Sequence, residues 1–298
     1  MADAAGSAKL ALGTVQWGMR YGIAGRGQPD SSEVGAILAA ARAAGVSLLD
    51  TAYAYGSAEQ VIGGLHTAAG DFDIVTKTLP VRAPEIGAGQ CAAVEAALEE
   101  SLARLGRAAV YAVLVHDAGD LLAPGGDRLW EILERFRSAG KIRRIGVSVY
   151  NPDQCSAVAA AFPIEIVQLP LNIYDQRFLI SGVLAALKAR GVEIHTRSAF
   201  LQGLLLMAPA ELPPHFDPIR AHHARLGALF AAQGQSALAG ALRFCLDQPL
   251  VDRVVVGCET AAQFGQIHAA AAAPAPAVLY SDFALSDPAI LEPSRWPK

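Results

Sequence analysis

Long apolar runs, blocks of cations and paired cysteines are all missing from this 298-residue chain, and each absence removes a class of function. No uninterrupted apolar stretch approaches the roughly 18 residues of a membrane-crossing helix, so no membrane role is expected. Lysine and arginine total 24 against 28 acidic residues, a formal charge of −4. No basic block is present to neutralise a phosphate backbone, so no nucleic-acid partner is expected. The short cluster Lys141, Arg143 and Arg144 reads as a solvated helix end. The four cysteines, Cys91, Cys155, Cys245 and Cys258, include no CxxC pair and read as reduced, buried thiols of a cytoplasmic protein. Met1–Gly6 has neither the basic segment nor the apolar core of a signal peptide. There is no H-E-x-x-H, no G-x-S-x-G and no P-loop. His222-His223 has no neighbours at ligand spacing and reads as a solvated helix face, so no metal is expected.

Charge itself is scarce, at 17% of residues against 53% hydrophobic. A chain this long and apolar can bury a large core. Short β-rich runs alternate with alanine- and leucine-rich stretches. The spacing predicts strands at Leu10–Leu12, Ser47–Asp50, Ile74–Lys77, Ala112–His116, Arg144–Ser148, Ile166–Pro170, Glu193–Arg197 and Arg253–Val256. Each is apolar with a polar residue at or just past its end, the mark of a parallel strand covered on both faces. Helical patterns over Ser32–Ala44, Cys91–Leu105, Leu129–Ala139 and Ser181–Ala189 end near glycines. Eight βα units predict a single-domain α/β fold, a (β/α)8 TIM barrel over 1–298, with 280–298 as a C-terminal tail. That tail either packs on the exterior or covers the mouth. An open doubly wound sheet would carry G-x-G-x-x-G after its first strand, where Gly13-Thr14-Val15-Gln16-Trp17-Gly18 stands instead.

In such a barrel, chemistry sits where strands end and on the loops that follow. The second strand ends at Asp50 and its loop carries Tyr55; the third ends at Lys77; the fourth ends at His116. One rim thus receives an acid, a phenol, an amine and an imidazole. Singly, each has a dull explanation as a turn cap, a packing ring, a snorkelling lysine or a structural histidine. Together they suit proton transfer to a developing alkoxide. An ammonium beside a phenol lowers its pKa, an aspartate fixes that ammonium, and a neutral imidazole aligns a carbonyl oxygen.

These residues resemble the aldo-keto reductase superfamily. The match is Asp50-Thr51-Ala52 with Tyr55-Gly56 and Glu59, then Val75-Thr76-Lys77 and Val115-His116. It continues through Ile145-Gly146-Val147-Ser148, Val167-Gln168, Arg197-Ser198, Gln202-Gly203-Leu204 and Val256-Gly257 with Gln263, covering Leu12 to about Gln266. The resemblance implies reduction of a small aldehyde, ketone or sugar carbonyl by NADP(H), with NAD(H) the less frequent cofactor. It makes Tyr55 the general acid, Lys77 and Asp50 its supports, and His116 the orienting group. Ser148 and Gln168 would bind the nicotinamide carboxamide, with Gly13, Thr14, Val15 and Asp50 beneath the ring. Ser198, Phe200, Leu201, Gln202 and Gly203 would line the pyrophosphate path. Gly257, Glu259, Thr260 and Gln263 would border the adenosine, and Trp17 would wall the substrate pocket.

Four positions depart from the family pattern. Val149 follows Ser148 where asparagine is usual. Arg197 replaces the aromatic that stacks on the nicotinamide; its planar guanidinium can also stack there, attract an anionic substrate or pair with a carboxylate. Glu259 and Thr260 stand where Lys or Arg usually meets a 2′-phosphate, and a carboxylate there suits NAD(H) instead. Two further readings therefore stay open: an NAD-linked sugar or alcohol dehydrogenase, and a cofactor-binding regulatory protein of low turnover. Neither substrate identity nor oligomeric state is written in these motifs.

Overall fold

The computed structural model describes residues 8–23, 25 and 27–297; the N-terminal segment 1–6 lies outside them. Eight parallel strands close into a barrel in sequence order. They are β1 (Leu10–Gly13), β2 (Leu48–Asp50), β3 (Asp73–Lys77), β4 (Val110–Val115), β5 (Ile142–Ser148), β6 (Ile166–Pro170), β7 (Glu193–Arg197) and β8 (Arg253–Gly257). Pairing of Leu10–Gly13 with Val254–Gly257 closes the ring and excludes the open sheet. The predicted strands hold to within a residue or two at each end.

The helices that return the chain between strands are α1 (Ser31–Ala43), α2 (Ala58–Gly64), α3 (Ala88–Leu105), α4 (Asp127–Ser138), α5 (Pro152–Ala161), α6 (Val183–Ala189) and α7 (Ala237–Leu246), and α8 (Ala261–Ala271) follows β8. Their ends follow local chemistry. Asp30 caps α1 by accepting from Glu33 N, and Asn151 caps α5, whose first residue is Pro152. Gly106 ends α3 in the left-handed region, at φ 63°. The helix expected over Ser181–Ala189 begins only at Val183, because Gly182 takes φ 76° and separates it from a turn at Arg177–Ile180.

The barrel interior is a small cluster of Ala11, Leu48, Val75, Ala112, Leu114, Ile166 and Val255. The larger core lies between sheet and helices. Each fully buried leucine or isoleucine there contributes about 1.5–3 kcal/mol. Two surface readings are corrected. Arg143 and Arg144 open β5 rather than ending a helix, pairing with Asp73 and Glu193, while Lys141 pairs with Glu99. His223 is buried, not solvated: its Nδ1 bonds the Tyr174 hydroxyl (2.7 Å) and its Nε2 the Met207 carbonyl (2.8 Å). An additional helix, Arg220–Ala232, carries it, and the tail packs there. His222 reaches the Phe283 carbonyl, and Leu285 N donates to the carbonyl of Tyr174, on the loop after β6. The tail therefore buttresses the β6–β7 side of the barrel's C-terminal rim.

Candidate active site

A cavity of about 340 Å³ opens at the C-terminal ends of the strands. Asp50, at the end of β2, borders it. Lys77 Nζ donates to Asp50 Oδ1 (2.7 Å) and to the Thr51 carbonyl (2.9 Å), the bonding of an ammonium. Gln168 Nε2, arriving from β6, donates to Asp50 Oδ2 (2.6 Å). All three side chains are buried. Thr14 binds the Asp50 carbonyl through both its backbone N–H (2.9 Å) and its hydroxyl (3.1 Å), locking β1 to β2.

Tyr55 borders the cavity, with its ring 5.0 Å from Lys77 Nζ and edge-on to His116 at 5.9 Å. The expectation that Lys77 lowers the phenol pKa is not met. The ammonium lies over the ring face and spends its hydrogen bonds on Asp50 and Thr51. Burial pushes the Tyr55 phenol up, the Asp50 carboxylate adds to this, and Arg197 opposes it. Burial lowers Lys77, with Asp50 pulling the other way. His116 is pushed down to about 3, by burial first and then by Lys77, Arg197 and Arg82, so it is uncharged at neutral pH. Its Nδ1 is buried without a partner among the described residues.

The Tyr55 loop is held backbone to backbone against the first βα loop. A Cβ on Gly18 would lie 1.8 Å from the Tyr55 carbonyl oxygen, and one on Gly56, at φ 57°, 2.3 Å from the Gly18 carbonyl oxygen. Ser57 N donates to that same Gly18 oxygen (3.2 Å). Behind the loop, the buried Glu59 accepts from Thr76 Oγ1 (2.7 Å), tying α2 to β3. Gly18→Ala must displace Tyr55, and a shift near 1 Å costs about 100-fold in kcat. Gly35→Ala, on α1 with open space around it, should leave steady-state turnover unchanged. Equal kcat in the two variants would remove this role from Gly18.

The remaining wall comes from the loops after β7, β8 and β1. Gly13, Val15, Ser198, Phe200, Gln202, Gly203, Gly257, Glu259 and Gln263 all border the cavity, as does Arg197. Ser198 takes φ 64°, and Leu201, Gln202 and Gly203 are consecutively left-handed at 46°, 53° and 96°. For non-glycine residues such backbone costs about 1–3 kcal/mol each and gathers at functional sites. Leu201 itself is buried in the core. Thr260 caps α8 by accepting from Gln263 N (3.1 Å), and Gln263 Oε1 accepts from Glu259 N (2.7 Å). Ser148 is buried at the end of β5, paired in register with Gln168.

Trp17 is corrected: it is fully buried, its indole donating to the Cys258 carbonyl (3.3 Å), and it does not border this cavity. A short helical turn, Val15–Gly18, rotates it inward. Tyr21, four residues on, borders the cavity instead, with Gln16, Leu206 and Leu238, none of which was anticipated. Burial raises the Tyr21 phenol to about 12. The only available signal for Tyr21 was its place on a long loop after a strand end.

The family model described as the aldo/keto reductase family matches residues 9–280. Aldo-keto reductase YhdN of Bacillus subtilis (strain 168) is 28% identical over 278 residues, covering 85% of this chain and 80% of that protein. The holo form of aldo-keto reductase AKR11C1 from Bacillus halodurans superposes with a TM-score of 0.73 at 20% identity, covering 97% of this chain and 95% of the other. The glycerol dehydrogenase AKR11B4 of Gluconobacter oxydans gives 0.70 at 22% identity, covering 97% and 93%. These two structures share the fold. With the sequence match running through every strand of the barrel and across the Asp50–Tyr55–Lys77–His116 rim, the chain belongs to the aldo/keto reductase family.

Proposed function

We propose that this oxidoreductase reduces a small aldehyde or ketone to an alcohol with NAD(P)H, Tyr55 donating the proton. The observation that carries the reading is Tyr55 at the cavity wall, with Lys77 against its ring face, His116 at its edge and Asp50 behind. A nicotinamide cofactor, when bound, supplies the hydride for the carbonyl carbon. The residues present fit it. Gln168 Oε1 is a buried acceptor without a partner among the described residues, beside Ser148 at the rim, and suits the N–H of a carboxamide. The left-handed run at 201–203 brings strained backbone to the cavity wall, as close approach to an anionic chain requires.

Tyr55 keeps its proton at neutral pH, because burial and Asp50 disfavour the phenolate until negative charge builds on the substrate oxygen. Uncharged His116 offers that oxygen a neutral N–H without competing for the proton. The Lys77 ammonium, held by Asp50, lies against the ring face of the tyrosinate left behind. The test is nicotinamide oxidation, followed by absorbance, across a panel of aldehydes, ketones and sugars. Turnover on any one of them rejects the low-turnover regulatory reading. Silence across the panel, with cofactor bound, rejects ours. No helix among the described residues is long and apolar enough to cross a membrane. Four free cysteines, three of them buried, support a reducing compartment such as the cytoplasm.

The far end of the cavity favours the NAD-linked reading of the cofactor over the NADP(H) that resemblance suggests. Glu259, Gln263, Gln266 and Ile267 line it, and no lysine or arginine does so among the described residues. The first amide of α8, Ala261 N, already donates to Glu33 Oε1 (2.6 Å). If the adenosine lies there, a 2′-phosphate would share the space with two carboxylates. NADH should then bind at least about 10-fold more tightly than NADPH, the scale of one repulsive pair at partial burial. Dissociation constants from nicotinamide fluorescence decide it, and tighter NADPH would restore the family expectation.

A further inference from the structure

Arg197 ends β7 and borders the cavity beside Tyr55. Its side chain leans across β6 toward the loop after β5. There the guanidinium lies over the Tyr150 ring, 4.3 Å from its centroid. Its two hydrogen bonds reach neutral oxygens and are long, 3.4 Å to Ser198 Oγ and 3.3 Å to the Val149 carbonyl. Among the described residues, no carboxylate stands within ion-pair distance of it. Other arginines of the barrel differ: Arg144, at the start of β5, pairs with Glu193, and Arg177 after β6 pairs with Asp175 and Glu292.

The charges at this end of the cavity do not cancel without a ligand. Asp50 and Lys77 neutralise each other at 2.7 Å. Tyr21, Tyr55 and His116 are uncharged at neutral pH. Arg197 leaves the reacting end with one net positive charge, in a half-buried setting where that charge is weakly screened. Glu259 follows β8, on the side of β7 away from the Tyr150 stack. The stack also restrains the guanidinium, so a bidentate partner meets a partly preorganised fork.

We propose that Arg197 binds a carboxylate of the substrate, making the preferred carbonyl compounds oxo acids, such as semialdehydes and 2-oxo acids. The proposal rests on the reductase reading. A single guanidinium matches a carboxylate in charge and in shape, whereas a phosphate dianion would find only one cation.

The experiment compares succinic semialdehyde with butanal, which share a four-carbon aldehyde chain and differ in the carboxylate. With cofactor saturating, kcat/KM should favour the anion by about 10- to 100-fold, the worth of a charge-assisted bidentate contact. Arg197→Met should erase that preference, bringing the two kcat/KM values to within about threefold of each other, with NAD(P)H affinity kept within about twofold, since a neutral substrate and the cofactor do not use the fork. Arg197→Lys should restore part of it as a point charge. Equal kcat/KM for the two aldehydes in the wild type overturns the proposal. So does an Arg197→Met variant that loses cofactor affinity and both substrates together, which would assign the residue to the cofactor. Calorimetric titration of succinate into the enzyme–NAD(P)H complex reads the site without turnover. Binding that Arg197→Met abolishes upholds the site even if the reductase reading fails, and absence of binding overturns it.

Discussion

Phenylalanine at Tyr55 is expected to lower carbonyl turnover by about 10²- to 10⁴-fold, the usual worth of a positioned general acid, with NAD(P)H binding preserved. The substitution is clean on structural grounds. The Tyr55 hydroxyl donates to no group among the described residues, so its loss leaves no buried partner unsatisfied. The ring contacts to His116 and Lys77 need only the aromatic face and edge, which phenylalanine keeps. Cofactor affinity from nicotinamide fluorescence should therefore stay within about twofold of wild type, since no contact to the wall is lost. Retained turnover would remove Tyr55 from the chemistry. The pH profile gives a second reading of the same group. Reduction needs the protonated phenol, which persists below a pKa pushed above the ordinary range. Reduction should thus stay flat through neutral pH and fall only in strong alkali. Alcohol oxidation needs the phenolate and should rise with pH. His116, at about 3, should contribute no limb between pH 5 and 8.

How much of this was legible in the chain depended on whether the deciding contact was local. The strands were, because a parallel strand covered on both faces must be continuously apolar, and each ends on a polar residue that the barrel turns toward the rim. Asp50, Lys77 and His116 were found by that rule, and Tyr55 by lying on the loop behind one of them. What was hidden turned on contacts far apart in sequence. Gln168, 118 residues from Asp50, is drawn by its Nε2 to the carboxylate, leaving only Oε1 for a ligand. Resemblance to the family puts Trp17 at the pocket wall, yet one helical turn and the Cys258 carbonyl send it into the core. His223 looked solvated until Tyr174 and Met207 closed over it. The apposition of Gly18 and Gly56 has no sequence signature, since it is the absence of two side chains where two loops meet.

Methionine at Lys77 is expected to cost the largest stability of any single change at the rim. It fills nearly the same volume, so packing is kept while the charge is lost. Among the described residues, Asp50 would then keep only Gln168 as a side-chain donor, with its carboxylate still buried. Breaking one side of a buried pair costs about 3–5 kcal/mol, whereas removing both charges costs far less. The double variant Asp50→Asn with Lys77→Met should therefore be more stable than Lys77→Met alone. Denaturant midpoints of the wild type, both singles and the double give the coupling directly. At roughly 2–4 °C per kcal/mol for a chain of this size, the single variant should melt at least about 6 °C early. Turnover should be lost in all three variants, because the double restores stability without restoring the ammonium against the Tyr55 ring. That split separates the two roles of Lys77. A single variant as stable as the wild type would mean Asp50 finds another cation. A double variant that turns over normally would mean the tyrosinate needs no Lys77 at all.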